Sequence, residues 1–167
     1  MDEESVNLPE TGEGADVRSS VEGIPRRHAA AVLQEAAYGI KVWIQRPYDE
    51  ALAATKRSLA KEGFEIASEY DLRTLFRERL GIDFRRYTIL GALNPQAACR
   101  GLTLDVDLGL LLPFNVVVYE EMGGTIVEAI DSIAHLAIAD SADIEGLARA
   151  VKQRLQDVVD HVAAGLA

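Results

Sequence analysis

The sequence predicts an α+β fold: a mostly antiparallel sheet of about five strands with helices packed on it, in the order β-α-β-α-β-α-β-β-α. The first observation behind this prediction is a pair of continuously apolar runs, at 87–93 and 108–119, each of which meets a proline. Strands that are apolar on both faces lie in the middle of a sheet, so these two segments should lie side by side near its centre. The second observation is that strand-like alternation and helical spacing follow each other along the rest of the chain.

The N-terminal segment differs from the rest of the chain in charge. Residues 1–23 hold seven acidic residues and one basic residue, which is −6 of the total charge of −10, and they include no aromatic residue. This composition is typical of an acidic, flexible tail, so we expect a single α+β domain at 24–167. The alanine-rich segment 25–37 is predicted to form a short helix.

The first predicted strands and helices follow directly after this segment. A strand is expected at 38–46, where apolar residues occupy every second position. Pro47 suits the first position of a following helix, and Gly63 ends that helix. The next strand, 64–70, is expected to present apolar side chains on one face and acidic side chains on the other. These are Phe64, Ile66 and Tyr70 on the first face, and Glu65 and Glu69 on the second.

Polar residues mark the starts of the next two predicted helices. Asp71 can cap a helix that follows the second strand, and Asn94 can cap the short helix that follows the strand at 87–93. Gly91, inside that strand, marks a place where another part of the chain comes close.

The C-terminal part is predicted to contain a hairpin and a long helix. Strands at 114–121 and 125–130 flank a glycine pair that turns the chain. The helix at 141–165 carries an apolar stripe over five turns, so the sheet or a partner chain must cover one side of it. The stripe consists of Ile144, Leu147, Val151, Leu155, Val158 and Val162.

Composition argues against several functional classes. The chain has no run of 18 apolar residues, its N-terminus does not resemble a secretory signal, and its body is mildly acidic. We therefore expect a cytoplasmic protein that does not span a membrane and does not bind nucleic acid. Cys99 is the only cysteine, so it cannot form an internal disulfide, and we expect it to pack in the interior.

Short motifs between 38 and 131 make the chain similar to a bacterial and archaeal family called domain of unknown function 302. The motifs are Pro47-Tyr48, Glu62-Gly63-Phe64, Glu69-Tyr70-Asp71, Asp83-Phe84-Arg85-Arg86-Tyr87, Ile89-Leu90-Gly91-Ala92, Asn94-Pro95, Gly109-Leu110-Leu111-Leu112-Pro113 and Asn115-Val116-Val117-Val118-Tyr119-Glu120. The resemblance implies a compact α+β fold that often pairs as a homodimer, and it brings no established activity. It leaves the tail and the last helix outside the matching core.

The chain departs from the family pattern at two positions. Relatives typically carry cysteine at the positions of Leu93 and Phe114, so any thiol chemistry of the family is absent here. Because leucine and phenylalanine suit apolar surroundings, we expect both side chains to face the interior and fill one space at adjoining ends of the two central strands.

Few residues qualify as a functional site. His28, His135 and His161 are isolated, so no metal site is predicted, and no pattern indicates a cofactor or a catalytic set. Glu120 and Glu121 should point to opposite faces of a strand. The weak candidates for ligand binding flank the proline junctions at the strand ends, where small-molecule sites often form. They are Tyr87, Asn94, Asn115 and Arg86.

Three functions remain open at this point. The favoured one is a homodimeric, non-catalytic module that binds a small ligand or a protein, with the last helix and the sheet edges available for pairing. The second is an enzyme that does not depend on a thiol, with a polar pocket near the Asn94 and Pro113 junctions. The third is an interaction protein that works through its acidic tail.

Overall fold

The computed structural model describes residues 31–167. Its centre is a six-stranded, fully antiparallel sheet in the order β1-β2-β6-β5-β4-β3. The strands are β1 (Ala31–Glu35), β2 (Gly39–Ile44), β3 (Glu65–Asp71), β4 (Tyr87–Leu93), β5 (Phe114–Glu121) and β6 (Gly124–Ile130). The helices are α1 (Tyr48–Lys61), α2 (Leu72–Leu80), α3 (Pro95–Leu104), α4 (Ser132–Leu136) and α5 (Ala142–Ala164), with short 3-10 segments at Val106–Leu111 and Ala137–Ala139.

These elements confirm the predicted α+β class and the antiparallel sheet. The two apolar runs supply β4 and β5, which pair side by side, and β5 continues into β6 through a tight hairpin. The sixth strand, β1, differs from the prediction, because the alanine-rich segment 25–37 favours a helix by composition. Residues 31–35 instead pair with the free edge of β2. Backbone hydrogen bonds to that strand therefore outweigh the helix preference of alanine.

Part of the predicted N-terminal organisation lies outside the described residues. The acidic segment 1–23 and residues 25–30 of the predicted helix belong to that part of the chain.

The main core lies between one face of the sheet and the helices α1 and α5. Buried side chains of β2, β4, β5 and β6 meet the apolar stripe of α5, in which Val151, Leu155, Val158 and Val162 are at most 1% exposed. The chain itself therefore covers the last helix. This removes the last helix as a reason to expect a homodimer.

The opposite face of the sheet is here called the open face. Its side chains include the neighbours Trp43, Ile126, Tyr119 and Tyr87, which follow one another across β2, β6, β5 and β4. Ile126 is buried, whereas the three aromatic residues are half-buried. Within residues 31–167, the open face is therefore apolar and only partly covered.

A bulge in β3 corrects the predicted facing of that strand. Ile66 pairs with Ala92 on the core side, but the register shifts between Ile66 and Ser68, so Tyr70 points to the open face. The same shift turns Glu69 to the core side, where it meets α1. The prediction that Ile66 and Tyr70 share a face is wrong, because one extra residue in a bulge reverses the alternation.

Candidate functional site

The four residues predicted to bind a ligand do not form one pocket. Tyr87 begins β4 and follows Arg86, whereas Asn94 comes directly after the end of the strand. Asn94 lies seven residue steps of extended chain beyond Tyr87, a distance of about 23 Å. Asn115 lies near the Asn94 end, since it pairs with Gly91. The structure therefore places two candidates at each end of β4.

At the far end of β4, Asn94 has a structural role. Its side-chain oxygen accepts a hydrogen bond of 3.0 Å from the backbone N–H of Ala97 and so caps α3. Its Nδ2 donates a second bond of 3.0 Å to the carbonyl oxygen of Gly63. The buried amide is therefore occupied on both sides, while Asn115 is exposed to solvent.

Leu93 and Phe114 lie at adjoining strand ends but on opposite faces of the sheet. Phe114 pairs with Ala92, so its side chain joins the core beneath the helices, where it is 3% exposed. Leu93 is the next residue along β4 and therefore points to the open face. The prediction that both side chains fill one interior space is wrong, because adjacent strand residues alternate between faces.

Tyr87 belongs to a row of aromatic side chains on the open face. Its ring stacks on Tyr119 at a centroid distance of 5.0 Å, and Phe84 lies 6.3 Å away on the other side. Burial raises the pKa of the Tyr87 phenol, and the neighbouring Tyr119 acts in the same direction. The phenol is therefore neutral at physiological pH.

Arg86 lines a small cleft between α1 and β3, here called the α1–β3 cleft, with a volume of about 160 Å³. The cleft exists because the bulge turns the end of β3 toward the helix and because α1 begins beside the start of β4. It is lined by Tyr48, Asp49, Leu52, Glu69, Asp71, Arg73, Arg86 and Thr88.

A hydrogen bond between Tyr48 and Thr88 forms the buried side of the cleft. The two hydroxyl groups join the first residue of α1 to β4, and both residues are buried. Burial raises the pKa of Tyr48, which keeps the phenol protonated. Neither residue was predicted as part of this site from the sequence. The local signal was Thr88 itself, because a buried hydroxyl on the otherwise apolar core face of β4 needs a polar partner.

The guanidinium group of Arg86 covers the ring of Tyr48. Its central carbon lies 4.2 Å from the ring centroid, and the group forms a two-pronged ion pair with Asp49, one bond of which is 2.9 Å long. This pairing raises the pKa of Arg86. Arg86 therefore presents a fixed positive charge over an aromatic surface at the mouth of the cleft.

The remaining charged groups of the cleft come from β3 and α2. Asp71 accepts hydrogen bonds from the backbone N–H groups of Arg73 and Thr74 and from the Thr74 hydroxyl, which caps α2 as predicted. Glu69 accepts both of its 2.7 Å bonds from Lys56. The Nε of Arg73 is shielded from solvent and finds no hydrogen-bond acceptor within residues 31–167.

A larger and more open groove adjoins this cleft at Tyr48. It has a volume of about 690 Å³ and runs along the tip of the β5–β6 hairpin, past Arg46, Arg85 and Glu121. Arg85 and Glu121 form an ion pair across it. The groove is therefore an open surface in which one pair of opposite charges, Arg85 and Glu121, is already joined.

The other candidate residues lie apart from the cleft. Cys99 is exposed, so the prediction that it packs in the interior is wrong; α3 directs Gly101 toward the core instead. His135 bonds to the backbone oxygen of Leu111, and His161 lies 3.6 Å from Glu62. Over residues 31–167, no group of three or more His, Cys, Asp and Glu side chains is arranged to hold a metal ion.

Comparison with known proteins agrees with this architecture. The family described as domain of unknown function DUF302 matches residues 40–162, which is well over half of the chain. The chain belongs to this family. Membership in DUF302 confirms the resemblance seen in the motifs, and the match extends past residue 131 to include most of α5.

Solved structures are similar to this chain, and one of them belongs to DUF302. It is the crystal structure of an uncharacterized conserved protein DUF302 from Bacillus stearothermophilus, with 26% sequence identity and a TM-score of 0.70. The similarity covers 75% of this chain and 98% of the other. No curated protein matches the sequence. In the described part of the chain, none of the helices has the length and apolar character required to cross a membrane.

Proposed function

We propose that this DUF302 protein is a non-catalytic, homodimeric binding domain of the cytoplasm, and that two copies join through their open faces. The observation that carries this proposal is the row formed by Trp43, Ile126, Tyr119 and Tyr87, which is apolar and only partly covered. Contiguous apolar surface of this kind marks an interaction site on a folded protein. Aromatic residues are also enriched at interface centres.

The charge of the open face suits a second copy. Lys41 and Glu128 form an ion pair of 3.2 Å in the middle of the face, and their side chains are only 22% and 18% exposed. Because this pair is neutral and largely covered, it does not oppose the approach of a second, identical face. The acidic segment 1–23 carries −6 and no aromatic residue, so it is a poorer match for this surface.

The size of the open face also fits a dimer. Strands spaced about 4.8 Å apart and seven residues long give a six-stranded sheet a flat area of roughly 550 Å² before side-chain relief adds to it. A standard interface buries about 800 Å² on each partner. Most of the open face would therefore take part in the contact.

The test is the mass of the protein in solution at micromolar concentration, measured by light scattering after gel filtration. We expect a dimer. We expect Val117→Lys to give a monomer, because Val117 is a half-buried residue of the open face and a lysine there would place a charge in the contact. The matched control is Leu110→Lys, which adds the same charge at an apolar residue that is 87% exposed in the segment Val106–Leu111.

Two outcomes would contradict this arrangement. The first is a monomer for the unmodified protein. The second is a monomer that dimerises only after removal of residues 1–23, since that result would make the chain's own N-terminus the cover of the open face.

Of the predicted ligand-binding residues, Arg86 retains the strongest support, because it alone lines the α1–β3 cleft.

The non-catalytic part of the proposal rests on the same cleft. Its lining contains no histidine, cysteine or lysine, and its one phenol, Tyr48, has a raised pKa. Its three carboxylates, Asp49, Glu69 and Asp71, each already accept hydrogen bonds, from Arg86, from Lys56 and from the start of α2. The lining residues therefore do not form an unpaired acid–base set of the kind that general acid–base catalysis uses. The enzyme alternative near Asn94 has less support, since both sides of that amide are already hydrogen bonded.

A further inference from the structure

We propose that the α1–β3 cleft binds a small oxyanion, a carboxylate or a phosphate, between Arg86 and Arg73. This inference rests on the ligand-binding role proposed above for Arg86, and it adds the chemical class of the ligand. It is independent of the dimer contact, because Arg86 and Thr88 face the core side of the sheet and not the open face.

The unsatisfied group in the cleft is a donor. The Nε of Arg73 is shielded from solvent and has no acceptor in the part of the chain that the structure describes. A buried donor without a partner is costly, so a native structure usually supplies an acceptor from the protein, from water or from a ligand. The Arg73 side chain lines the cleft and is 38% exposed overall, so a ligand in the cleft meets a guanidinium group that has an open donor and needs an acceptor.

The carboxylates of the cleft already have hydrogen-bond donors, so they do not favour a cationic ligand. Asp71 is held by the N-terminus of α2 and by Thr74, Glu69 by Lys56, and Asp49 by Arg86. Each carboxylate already has donors, which leaves the guanidinium groups as the sites where further bonds can form.

The ion-pair partners of both arginines are exposed and can be exchanged. The side chain of Asp49 is 73% exposed, and that of Asp83, which lies 3.3 Å from Arg73, is 79% exposed. Ion pairs at such exposure are weak. An incoming carboxylate or phosphate can therefore take the place of either aspartate, because a guanidinium group binds both with the same two-pronged geometry.

The hydroxyl pair at the base of the cleft adds one more donor. Tyr48 and Thr88 have two hydroxyl hydrogens between them, and their mutual hydrogen bond uses one. The other hydrogen can point to an oxygen of the ligand.

The volume limits the size of the ligand. A cleft of about 160 Å³ holds the equivalent of roughly five water molecules. Inorganic phosphate or a short carboxylate such as succinate fits this space, whereas a nucleotide exceeds it.

The experiment is titration of the full-length protein with inorganic phosphate and, separately, with succinate, followed by calorimetry and by amide chemical shifts. We expect millimolar or tighter binding of at least one probe, which also distinguishes the two sources of the oxyanion. We expect Arg86→Gln and Arg73→Gln each to weaken binding by about tenfold or more, since each removes a charge-assisted bond. The matched control, Arg79→Gln, removes a charge from an exposed position of the same helix as Arg73 and should bind like the unmodified protein.

Asp49→Asn provides a test in the opposite direction. If the ligand replaces Asp49 on Arg86, removing that carboxylate should strengthen binding, a result that a purely structural role of Arg86 would not produce. The proposal is overturned if the unmodified protein binds neither probe at millimolar concentration, if Arg79→Gln loses as much affinity as Arg86→Gln, or if Asp49→Asn binds more weakly. The mass measurement described above reports the dimer separately, so either proposal can fail alone.

Discussion

Asn94 and Gly63 are joined by a hydrogen bond that ties the start of α3 to the end of α1. The Nδ2 of Asn94 donates to the Gly63 carbonyl oxygen at 3.0 Å, while its Oδ1 caps α3. We expect Asn94→Ala to lower the free energy of unfolding by about 2–3 kcal/mol, because it removes a helix cap and leaves a carbonyl group without its partner.

Urea unfolding would measure this effect. The matched control is Asn115→Ala, which changes the same residue type at an exposed position and should shift stability by less than about 0.5 kcal/mol. Equal effects of the two substitutions would show that the cap and the Gly63 contact do not stabilise the fold.

The hydroxyl pair of Tyr48 and Thr88 should show energetic coupling. Tyr48→Phe leaves the buried hydroxyl of Thr88 without its partner, and Thr88→Val does the same to Tyr48. We expect each single substitution to cost about 1–2 kcal/mol and the double substitution to cost less than their sum, with a coupling of about 1 kcal/mol. Thermal and urea unfolding of the unmodified protein, the two single variants and the double variant gives this double-mutant cycle. Strictly additive effects would contradict the hydrogen bond.

Gly91 and Gly146 should respond to alanine in opposite directions. A Cβ at Gly91 would overlap Ser68 Oγ and lie 2.6 Å from Pro113 Cγ, whereas a Cβ at Gly146 in α5 meets only open space. We expect Gly91→Ala to destabilise the protein by about 1–3 kcal/mol through overpacking. We expect Gly146→Ala to stabilise it by about 0.5–1 kcal/mol through helix propensity. Melting temperatures that shift in the same direction for both variants would contradict the close packing at Gly91 or the open space at Gly146.

Asp71 should contribute to acid sensitivity. The hydroxyl of Thr74 lowers the pKa of Asp71 below its usual value of 3.8, and the backbone N–H groups at the start of α2 add to this effect. Since the pKa is lower in the folded state, the stabilisation is present above the unfolded value and is lost as the pH falls through the folded one.

Asp71→Asn tests this dependence, because asparagine can still cap a helix but does not ionise. The stability difference between the unmodified protein and Asp71→Asn in urea unfolding should shrink as the pH falls from about 5 to below the unfolded value of 3.8. Glu78→Gln, at an exposed acid of the same helix, serves as the matched control. A difference for Asp71→Asn that is independent of pH would contradict the prediction.

The features that sequence predicted correctly are those set by local patterns. The alternation before Pro47 and the cap at Asp71 depend on neighbouring residues, and the structure contains both. The close approach at Gly91 involves the distant Ser68 and Pro113, but a glycine inside a strand is itself a local signal of it. The strand β1 and the bulge in β3 could not be predicted in this way, because pairing with other strands decides both.

The same distinction explains what was missed in the cleft. Arg86 stood out as part of a basic doublet, but its neighbours Tyr48 and Arg73 come from two helices that only the tertiary fold brings together. The polar Thr88 on an apolar strand was the one local signal of the buried hydrogen bond.

The bulge in β3 also affects how this molecule can associate with others. β3 is the outermost strand on its side, and an extra residue in it interrupts the regular row of backbone donors and acceptors that an added strand would need. The exposed Glu65 adds a negative charge to the same border. The irregular backbone of β3 therefore disfavours edge-to-edge pairing with a strand of another molecule at this border.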